Sequence, residues 1–285
     1  MRRILSLLLL AVLLAGCSAR TLPDAGVRLA RVNGADLAYR TVGSGEPLLL
    51  VMGYAGTMDV WDPALVDRLA RSYRVILFDN RNVGRSPAAD GPVTMEGMAR
   101  DGLGLLRALG VDRAHVLGWS MGSMIAQEMA LTEPDRVGKL VLYGTACRPE
   151  SVRRALARFD GATHEDILAM LFPEPWAKAH PEVWSRLPSP AVPASPAAVA
   201  RQREAMLAWP GTRARLGDIR SDVLVVAGEE DDVTPAADGL DVAGLIPGAW
   251  VARFKGAGHW LMYQSPDGMA AAVENFLSAA PDLRP

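Results

Sequence analysis

The sequence predicts an α/β fold, in which helices flank a mostly parallel sheet of about eight strands and a helical cap is inserted. Three observations predict it. Short apolar runs alternate with helical stretches along most of the chain. Several runs are apolar without interruption, as is typical of strands that are buried on both faces of a sheet. One long segment, residues 148–217, contains no apolar strand and interrupts the alternation.

The strands are justified in chain order. The first two flank Asn33-Gly34, a dipeptide that supplies the positive φ angles of a tight hairpin. Six apolar runs follow, at residues 46–53, 73–81, 114–119, 139–144, 222–228 and 250–256. Helical stretches cover residues 62–70, 94–109, 121–132 and 265–280. Ligands of such sheets bind beyond the carboxyl ends of the strands, so the residues that follow each run are the candidates for chemistry.

Residues 148–217 are interpreted as a mainly helical cap over the edge of the sheet. The segment contains Trp176, Trp184 and Trp209, and helical patches at residues 151–159 and 197–208 flank a proline-rich stretch. This aromatic content argues against disorder, because disordered segments are poor in aromatic residues. The predicted core therefore has two parts, residues 27–147 and 218–285, with the cap between them.

The N-terminus predicts export without a membrane-spanning helix. Two arginines precede the apolar stretch Ile4–Leu14, which is too short to cross a bilayer. The quartet Leu14-Ala15-Gly16-Cys17 resembles the lipobox of bacterial lipoproteins. That resemblance implies a signal peptide over residues 1–17, a linker at residues 18–26, and acyl chains on Cys17 that anchor the protein to the cell envelope, on its periplasmic or outer-membrane face. An ordinary signal peptide that contains a cysteine is the alternative.

Charge and cysteine content restrict the partners. The formal net charge is −2, and no Lys/Arg cluster follows the N-terminus. A nucleic-acid partner is therefore excluded, since binding the phosphate backbone requires a basic face. Of the two cysteines, Cys147 has no partner within the chain once Cys17 is lipidated or removed, and we expect it to be a small buried residue.

The most informative stretch is Gly118-Trp119-Ser120-Met121-Gly122, where an apolar strand turns into a helix. This is the Gly-x-Ser-x-Gly nucleophile elbow. The turn is so tight that the residues two positions before and after Ser120 must be small, as Gly118 and Gly122 are. It lifts the serine hydroxyl above the sheet. The N–H of Met121, at a helix N-terminus, is a candidate donor to an oxyanion. Ser120 is the candidate nucleophile.

A serine nucleophile requires a base, and the chain offers four histidines. His115 lies inside a predicted strand, and His164 and His180 belong to the cap. His259 follows the last predicted strand in a glycine-containing loop. We therefore predict that His259 is the base.

The base requires a carboxylate that fixes its tautomer. Four carboxylates directly follow the run at residues 222–228, namely Glu229, Glu230, Asp231 and Asp232. At least one of them should turn toward His259. Their residue types alone do not choose among them.

The order of serine, acid and histidine is that of the α/β-hydrolase fold. From about residue 25 onward the chain resembles the esterase, lipase and perhydrolase-like members of that superfamily. The family turn Gly-x-x-Asp-x-x-x-Pro corresponds to Gly228–Pro235, which selects Asp231 and leaves Asp232 as the second choice. The segment FDNRNVGRS is similar to the family pattern Asp-x-Arg-Gly-x-Gly-x-Ser, with Asn82 in place of the first glycine.

The resemblance also implies a second oxyanion donor in the loop after the run at residues 46–53. Family members commonly have His-Gly there, whereas this chain has Met52-Gly53-Tyr54. Gly53 admits a close approach of the backbone, and Tyr54 would donate its N–H. Met52, Gly53 and Trp119 would line an apolar substrate pocket.

These assignments predict a serine hydrolase that cleaves a carboxylic ester with an apolar part through an acyl-enzyme, without a metal or an organic cofactor. The same triad would serve a cofactor-free perhydrolase or haloperoxidase, or a C–C bond hydrolase. Ser120 excludes a haloalkane dehalogenase, which needs an aspartate nucleophile. A binding lipoprotein without catalysis is the alternative from a different class of function.

Overall fold

The computed structural model describes residues 26–280, apart from the side chain of His164. The predicted signal peptide and Cys17 lie outside the described residues. The strands are β1 (Arg28–Val32), β2 (Ala35–Val42), β3 (Glu46–Val51), β4 (Tyr73–Phe78), β5 (Ala114–Trp119), β6 (Val137–Tyr143), β7 (Val223–Gly228) and β8 (Trp250–Phe254). The helices are α1 (Pro63–Leu69), α2 (Met95–Ala108), α3 (Met121–Thr132), α4 (Pro149–Arg158), α5 (His164–Leu171), α6 (Glu174–Ala179), α7 (Pro196–Ala208), α8 (Ala236–Leu245), α9 (Leu261–Gln264) and α10 (Pro266–Ser278).

The eight strands form one sheet in the order β1-β2-β4-β3-β5-β6-β7-β8. β2 runs antiparallel to both of its neighbours, and the other pairings are parallel. The hairpin between β1 and β2 turns at Asn33 and Gly34, whose φ angles of 47° and 80° are both positive, as a type I′ turn requires. The predicted α/β fold class and the mostly parallel sheet are confirmed.

Alternate residues of the central strands are buried against opposite layers of helices. In β3, Leu49 and Val51 face the layer that contains α2, α3 and α8, whereas Leu48 and Leu50 face the layer of α1, α9 and α10. All four side chains are wholly buried. Because both faces are covered, the strand is an uninterrupted apolar run rather than an alternating one.

The sequence patterns predict no helix between β7 and β8, where the structure has α8. Its sequence, AADGLDVAGL, contains two glycines and two aspartates, which are weak helix formers. Packing compensates for the weak propensity, because Gly239 lies against the side chains of Val225 and Ala227 on β7 and Val242 is fully buried.

The segment between β6 and β7 is helical and, within the described chain, has no strand. α4 and α7 correspond to the two predicted helical patches, whereas α5 and α6 were not predicted. α4 and α7 pack against each other, and between α5 and α6 the ring of Phe172 stacks on that of Trp176 with a centroid separation of 5.4 Å. This helical segment is called the cap below; its bounds at residues 148–217 stay a prediction.

A buried carboxylate on α3 holds the C-terminal part of the cap. Glu128, which is 1% exposed, accepts hydrogen bonds from Trp209 Nε1 at 2.9 Å and from the Arg215 guanidinium at 2.7 and 3.0 Å. Next to it, buried Gln127 accepts a hydrogen bond from the Thr212 hydroxyl. A buried charge is costly without such partners, so Glu128 ties the cap to the core.

We predict that Glu128→Ala lowers the free energy of unfolding by about 2–4 kcal/mol, because the Trp209 N–H and the Arg215 guanidinium lose their acceptor. Urea unfolding followed by circular dichroism measures the change. The matched control is Glu133→Ala, just after the same helix, where a more exposed carboxylate pairs with Arg107 and Arg136. That control should cost about 1 kcal/mol or less. Equal losses in the two variants would contradict this view of Glu128.

Candidate active site

Ser120 lies between the last residue of β5 and the first residue of α3, in a strained backbone conformation. Its φ is 54° and its ψ is −123°. A non-glycine residue in such a region costs about 1–3 kcal/mol and needs support from its surroundings. Support comes from two hydrogen bonds: the Ser120 N–H donates to the Tyr143 carbonyl at 2.9 Å, and the Ser123 N–H donates to the Ser120 carbonyl at 2.9 Å.

The two glycines of the elbow are required by close backbone approaches. A Cβ atom on Gly118 would lie 2.3 Å from the Gly122 carbonyl oxygen, and a Cβ on Gly122 would lie 2.0 Å from the Val51 carbonyl oxygen at the end of β3. Real Cβ atoms do not approach other atoms so closely. The start of α3 therefore packs directly on two strand ends, as expected of a nucleophile elbow.

His259 forms a hydrogen bond to one of the four candidate carboxylates. Its Nδ1 lies 2.8 Å from Asp231 Oδ2, and both residues are buried, at 2% and 5% exposure. Asp231 Oδ1 accepts from the Val233 and Thr234 N–H groups at 2.9 and 2.8 Å, and the Thr234 hydroxyl donates to Oδ2 at 3.0 Å. An ionised carboxylate only accepts, so in the neutral form of His259 this contact requires the proton on Nδ1 and leaves the lone pair on Nε2.

The other three carboxylates point elsewhere. Asp232 is exposed and pairs with Arg158 of the cap at 3.2 Å. Glu229 pairs with Arg253 on β8 at 3.0 Å, and Glu230 is exposed. Within the described residues, Asp231 is therefore the one carboxylate of the four that contacts His259.

Two aromatic side chains hold the loop that carries His259 through hydrogen bonds. The His259 carbonyl accepts hydrogen bonds from Trp119 Nε1 at 3.2 Å and from the Tyr143 hydroxyl. Burial raises the pKa of Tyr143 well above its usual value, so the hydroxyl stays a donor. The Trp119 and His259 rings are 5.2 Å apart between centroids, which places the imidazole beside the residue before Ser120.

Across residues 26–280, Ser120 Oγ and His259 Nε2 do not share a hydrogen bond. Such bonds are often long in the free enzyme and tighten when substrate binds. The structure thus brings together Asp231 and His259 and sets the His259 ring beside Trp119 of the elbow, while the roles of the three residues stay predictions.

The loop after β3 passes directly over the elbow. A Cβ atom on Gly53 would lie 3.2 Å from Ser120 Cβ and 3.1 Å from the Trp119 ring, so the glycine lets this loop reach the serine. Tyr54 directly follows Gly53, and Met52, which directly precedes Gly53, is wholly buried. Met52 and Trp119 are both buried in the core, and their contact with a substrate stays a prediction.

One residue that touches this loop could not be predicted from the sequence. The Gln202 side chain, on cap helix α7, accepts a hydrogen bond from the Ala55 N–H at 2.9 Å. No motif marks Gln202, because a single glutamine on a helix has no pattern of its own. Only the folded arrangement brings the cap to the loop.

The segment FDNRNVGRS has a structural role close to this loop. Asp79 accepts hydrogen bonds from the Met58 N–H at 2.7 Å and the Arg85 N–H at 2.8 Å, and burial raises its pKa to about 6. Asn82, which replaces the family's glycine, has a φ of 66°. Asparagine tolerates this left-handed conformation better than most residues, so the turn is kept.

The remaining candidates lie away from the elbow. His115 Nδ1 accepts from the Lys139 N–H at 2.9 Å, and burial lowers its pKa, in keeping with a structural role. The His180 ring stacks on Trp176 with centroids 4.4 Å apart. Cys147 is buried, which raises the pKa of its thiol to about 12.

The described part of the chain contains no group of three or more His, Cys, Asp or Glu side chains that could hold a metal ion. None of its helices is long and apolar enough to cross a membrane.

Two family models match the sequence. Residues 46–266 match the model of the alpha/beta hydrolase fold. Residues 1–18 match the model of the prokaryotic membrane lipoprotein lipid attachment site, which supports the predicted signal peptide and lipid anchor.

Individual proteins are similar over most of the chain. The RutD protein of Azorhizobium caulinodans, to which carbamate hydrolysis is ascribed, is 32% identical over 82% of this chain and 91% of its own. The BpoC protein of Mycobacterium tuberculosis, to which non-heme bromoperoxidase activity is ascribed, is 29% identical over 86% and 98%. The structure of a thermophilic esterase from Thermogutta terrifontis has a TM-score of 0.78 and 29% identity, with 89% and 98% of the chains covered.

We predict that Gly122→Ala lowers the free energy of unfolding by about 3 kcal/mol or more, because the new methyl group overlaps the Val51 carbonyl and strains the elbow. Urea unfolding measures the loss. The control is Gly244→Ala, at an exposed position of α8 where a Cβ meets nothing within 4 Å. Alanine favours a helix, so stability should be kept or raised by up to about 1 kcal/mol. Normal stability of the Gly122 variant would contradict the crowded elbow.

Proposed function

The chain belongs to the alpha/beta hydrolase fold family, and we propose that it is a serine hydrolase that cleaves a carboxylic ester through Ser120, His259 and Asp231. One observation carries the proposal. Asp231 lies 2.8 Å from His259 Nδ1, an arrangement that would leave Nε2 as the acceptor, and the imidazole lies 5.2 Å from the Trp119 ring, next to Ser120 on its strained elbow. The similarity of the chain to a solved esterase supports the choice of an ester bond.

In the first half of the reaction, Ser120 Oγ attacks the carbonyl carbon while His259 Nε2 takes its proton. The negative Asp231 stabilises the resulting imidazolium. The carbonyl oxygen becomes an oxyanion that accepts hydrogen bonds from the N–H groups of Met121 and Tyr54. The tetrahedral intermediate then collapses, the C–O bond breaks, and the departing alcohol takes the proton from Nε2.

In the second half, water replaces the alcohol. His259 Nε2 takes a proton from water as its oxygen attacks the acyl carbon, and the same N–H groups hold the second oxyanion. The bond to Ser120 Oγ breaks, Oγ recovers the proton, and the carboxylic acid leaves. These groups supply every proton transfer, so the proposed reaction uses no metal and no organic cofactor.

The substrate is proposed to have an apolar part. Trp260 directly follows His259, and its ring lies 5.6 Å from that of Phe172 in the cap. The Phe172 ring also contacts the half-buried rings of Trp176 and Trp184, at 5.4 and 5.8 Å. This aromatic cluster lies beside the proposed base, where it would favour an apolar acyl or alcohol group over a charged one.

Perhydrolysis is a second candidate, supported by the similarity to BpoC. Hydrogen peroxide would then replace water as the nucleophile that attacks the acyl-enzyme, and a peracid would replace the acid. The similarity to RutD makes a carbamate a further candidate for the bond that is cleaved. Both alternatives use the same three side chains, so they are distinguished by substrate rather than by variants.

We predict that the wild type hydrolyses p-nitrophenyl esters and that Ser120→Ala lowers kcat/KM by about 10⁴-fold or more, since the nucleophile is lost. Asp231→Asn should lower it by about 10²–10⁴-fold because the histidine tautomer is no longer fixed. Asp232→Asn is the matched control and should stay within about twofold, because its carboxylate is exposed.

Hydrolysis is measured on p-nitrophenyl esters of several acyl chain lengths and on an aryl carbamate. Peracid formation is measured with acetate and hydrogen peroxide, with bromide present to report the peracid. A kcat/KM of Ser120→Ala within about tenfold of the wild-type value would contradict the proposed nucleophile. Loss in Asp232→Asn with full activity in Asp231→Asn would reverse the choice of acid. Faster carbamate cleavage or peracid formation than ester hydrolysis would replace the ester by that alternative.

The match to the lipoprotein attachment site indicates an exported, lipid-anchored protein, and we propose that Cys17 carries the lipid. Ser18 follows it, and an aspartate that would suggest retention at the inner membrane is not at that position. The outer membrane is therefore the proposed site.

We predict that Cys17→Ser abolishes incorporation of labelled palmitate, since the thiol that receives the lipid is lost, and that the protein leaves the membrane fraction. Cys147→Ser is the control: this cysteine is buried in the folded domain, so labelling should persist. Membrane association of Cys17→Ser equal to that of the wild type would contradict a lipid anchor at this residue.

A further inference from the structure

A buried glutamine of the cap is bonded to the loop that carries the proposed oxyanion donor. Gln202 on α7 is 1% exposed, and its Oε1 accepts a hydrogen bond from the Ala55 N–H at 2.9 Å. Ala55 directly follows Tyr54, whose N–H is the proposed donor. The cap thereby contacts the backbone of the oxyanion loop, one peptide away from the atom that would hold the oxyanion.

The loop at this point is a tight turn with an unfavourable residue. The Gly56 N–H donates to the Gly53 carbonyl at 3.3 Å and closes a four-residue turn. Ala55 has a φ of 59°, whereas Tyr54 is not among the residues with positive φ. A turn whose third residue alone has positive φ is type II, and that position favours glycine over alanine.

A hydrogen bond to the central peptide decides which way such a turn faces. In the type I turn, which alanine prefers, the peptide between Tyr54 and Ala55 is rotated by about half a turn relative to type II. Its N–H would then point away from Gln202. The acceptor on Gln202 therefore holds the turn in the type II form and offsets the preference of Ala55.

The cap also holds the side chain of Tyr54. The Tyr54 ring lies 6.3 Å from the Phe159 ring at the end of α4. Burial raises the pKa of Tyr54, and the positive charge of Arg203 on α7 opposes that rise. Arg203 is itself bonded to Asp160 at 2.9 Å. Backbone and side chain of this loop are thus both attached to the cap.

We propose that Gln202 is a positioning residue, which orients the Tyr54 N–H by holding the Ala55 N–H, so that the cap completes the oxyanion hole. This inference rests on the proposed function, in which Tyr54 is a donor. The contact uses only the amide oxygen: Nε2 of Gln202 is buried and has no hydrogen-bond partner among the described residues.

The test removes the acceptor in two ways. Gln202→Leu deletes it, and Gln202→Asn shortens the side chain by one methylene group so that the oxygen no longer reaches Ala55. Each variant should lower kcat on a p-nitrophenyl ester by about 10- to 100-fold and leave KM within about twofold, since the contact stabilises the oxyanion more than the bound ester. The affinity for phenylboronic acid, which forms a tetrahedral adduct, should fall by the same factor.

Two controls separate positioning from general damage to the cap. Gln202→Met keeps the length and the volume of the side chain but has no amide oxygen, so kcat should fall as it does in Gln202→Leu while the cap stays packed. Arg201→Met removes the neighbouring α7 contact to the Ala89 carbonyl without touching the turn, and it should leave kcat unchanged. Thermal unfolding of every variant verifies that it is folded.

Unchanged kcat in any folded acceptor-less variant would overturn the proposal, as would a rise in KM alone. An equal loss in Arg201→Met would also overturn it, because the effect would then be general. If Gln202→Leu does not fold, Gln202→Asn and Gln202→Met decide. A wild type that is inactive on esters rejects the proposed function itself, which is a different result from an active wild type with indifferent Gln202 variants.

Discussion

The proposed site depends on a crossing of three backbone segments that only glycine permits. The start of α3 lies against the ends of β5 and β3, and a Cβ on Gly122 would be 2.0 Å from the Val51 carbonyl. This crossing keeps Ser120 at a φ of 54° and directs the first N–H groups of α3 toward the space above the sheet. Because Gly53 also approaches Ser120 closely, the proposed nucleophile and both proposed oxyanion donors lie within one crowded region.

The cap contacts both parts of the proposed site, the loop that carries His259 and the loop that carries the proposed oxyanion donor Tyr54. On one side, the Leu171 carbonyl accepts a hydrogen bond from the Trp260 N–H at 3.0 Å, next to His259. On the other side, Gln202 binds the oxyanion loop. Buried Glu128 fixes the cap's C-terminal end to the core. Held at these points, the cap contacts both the loop that carries His259 and the proposed oxyanion loop.

Most of the fold and part of the site were predictable from the sequence. Central strands that are buried on both faces are uninterrupted apolar runs. The glycines two residues before and after Ser120 indicate the close backbone approaches at the elbow. α8 escaped prediction because packing, not propensity, forms it. Residue type cannot distinguish Asp231 from Asp232, because both are aspartates. Adjacent residues of this turn face opposite ways, so that Asp231 is buried and Asp232 is exposed. Gln202 carries no signal, because its contact arises only when the cap folds back.

The central claim is that Ser120 is a nucleophile activated within this folded site. It is tested most directly by treating the native protein with a fluorophosphonate probe and mapping the adduct by peptide mass spectrometry. The account predicts one stoichiometric label on Ser120 in native protein and none after denaturation in urea, since activation requires His259 and the elbow. Native protein that stays unlabelled, or that carries its label on another residue, would contradict the account.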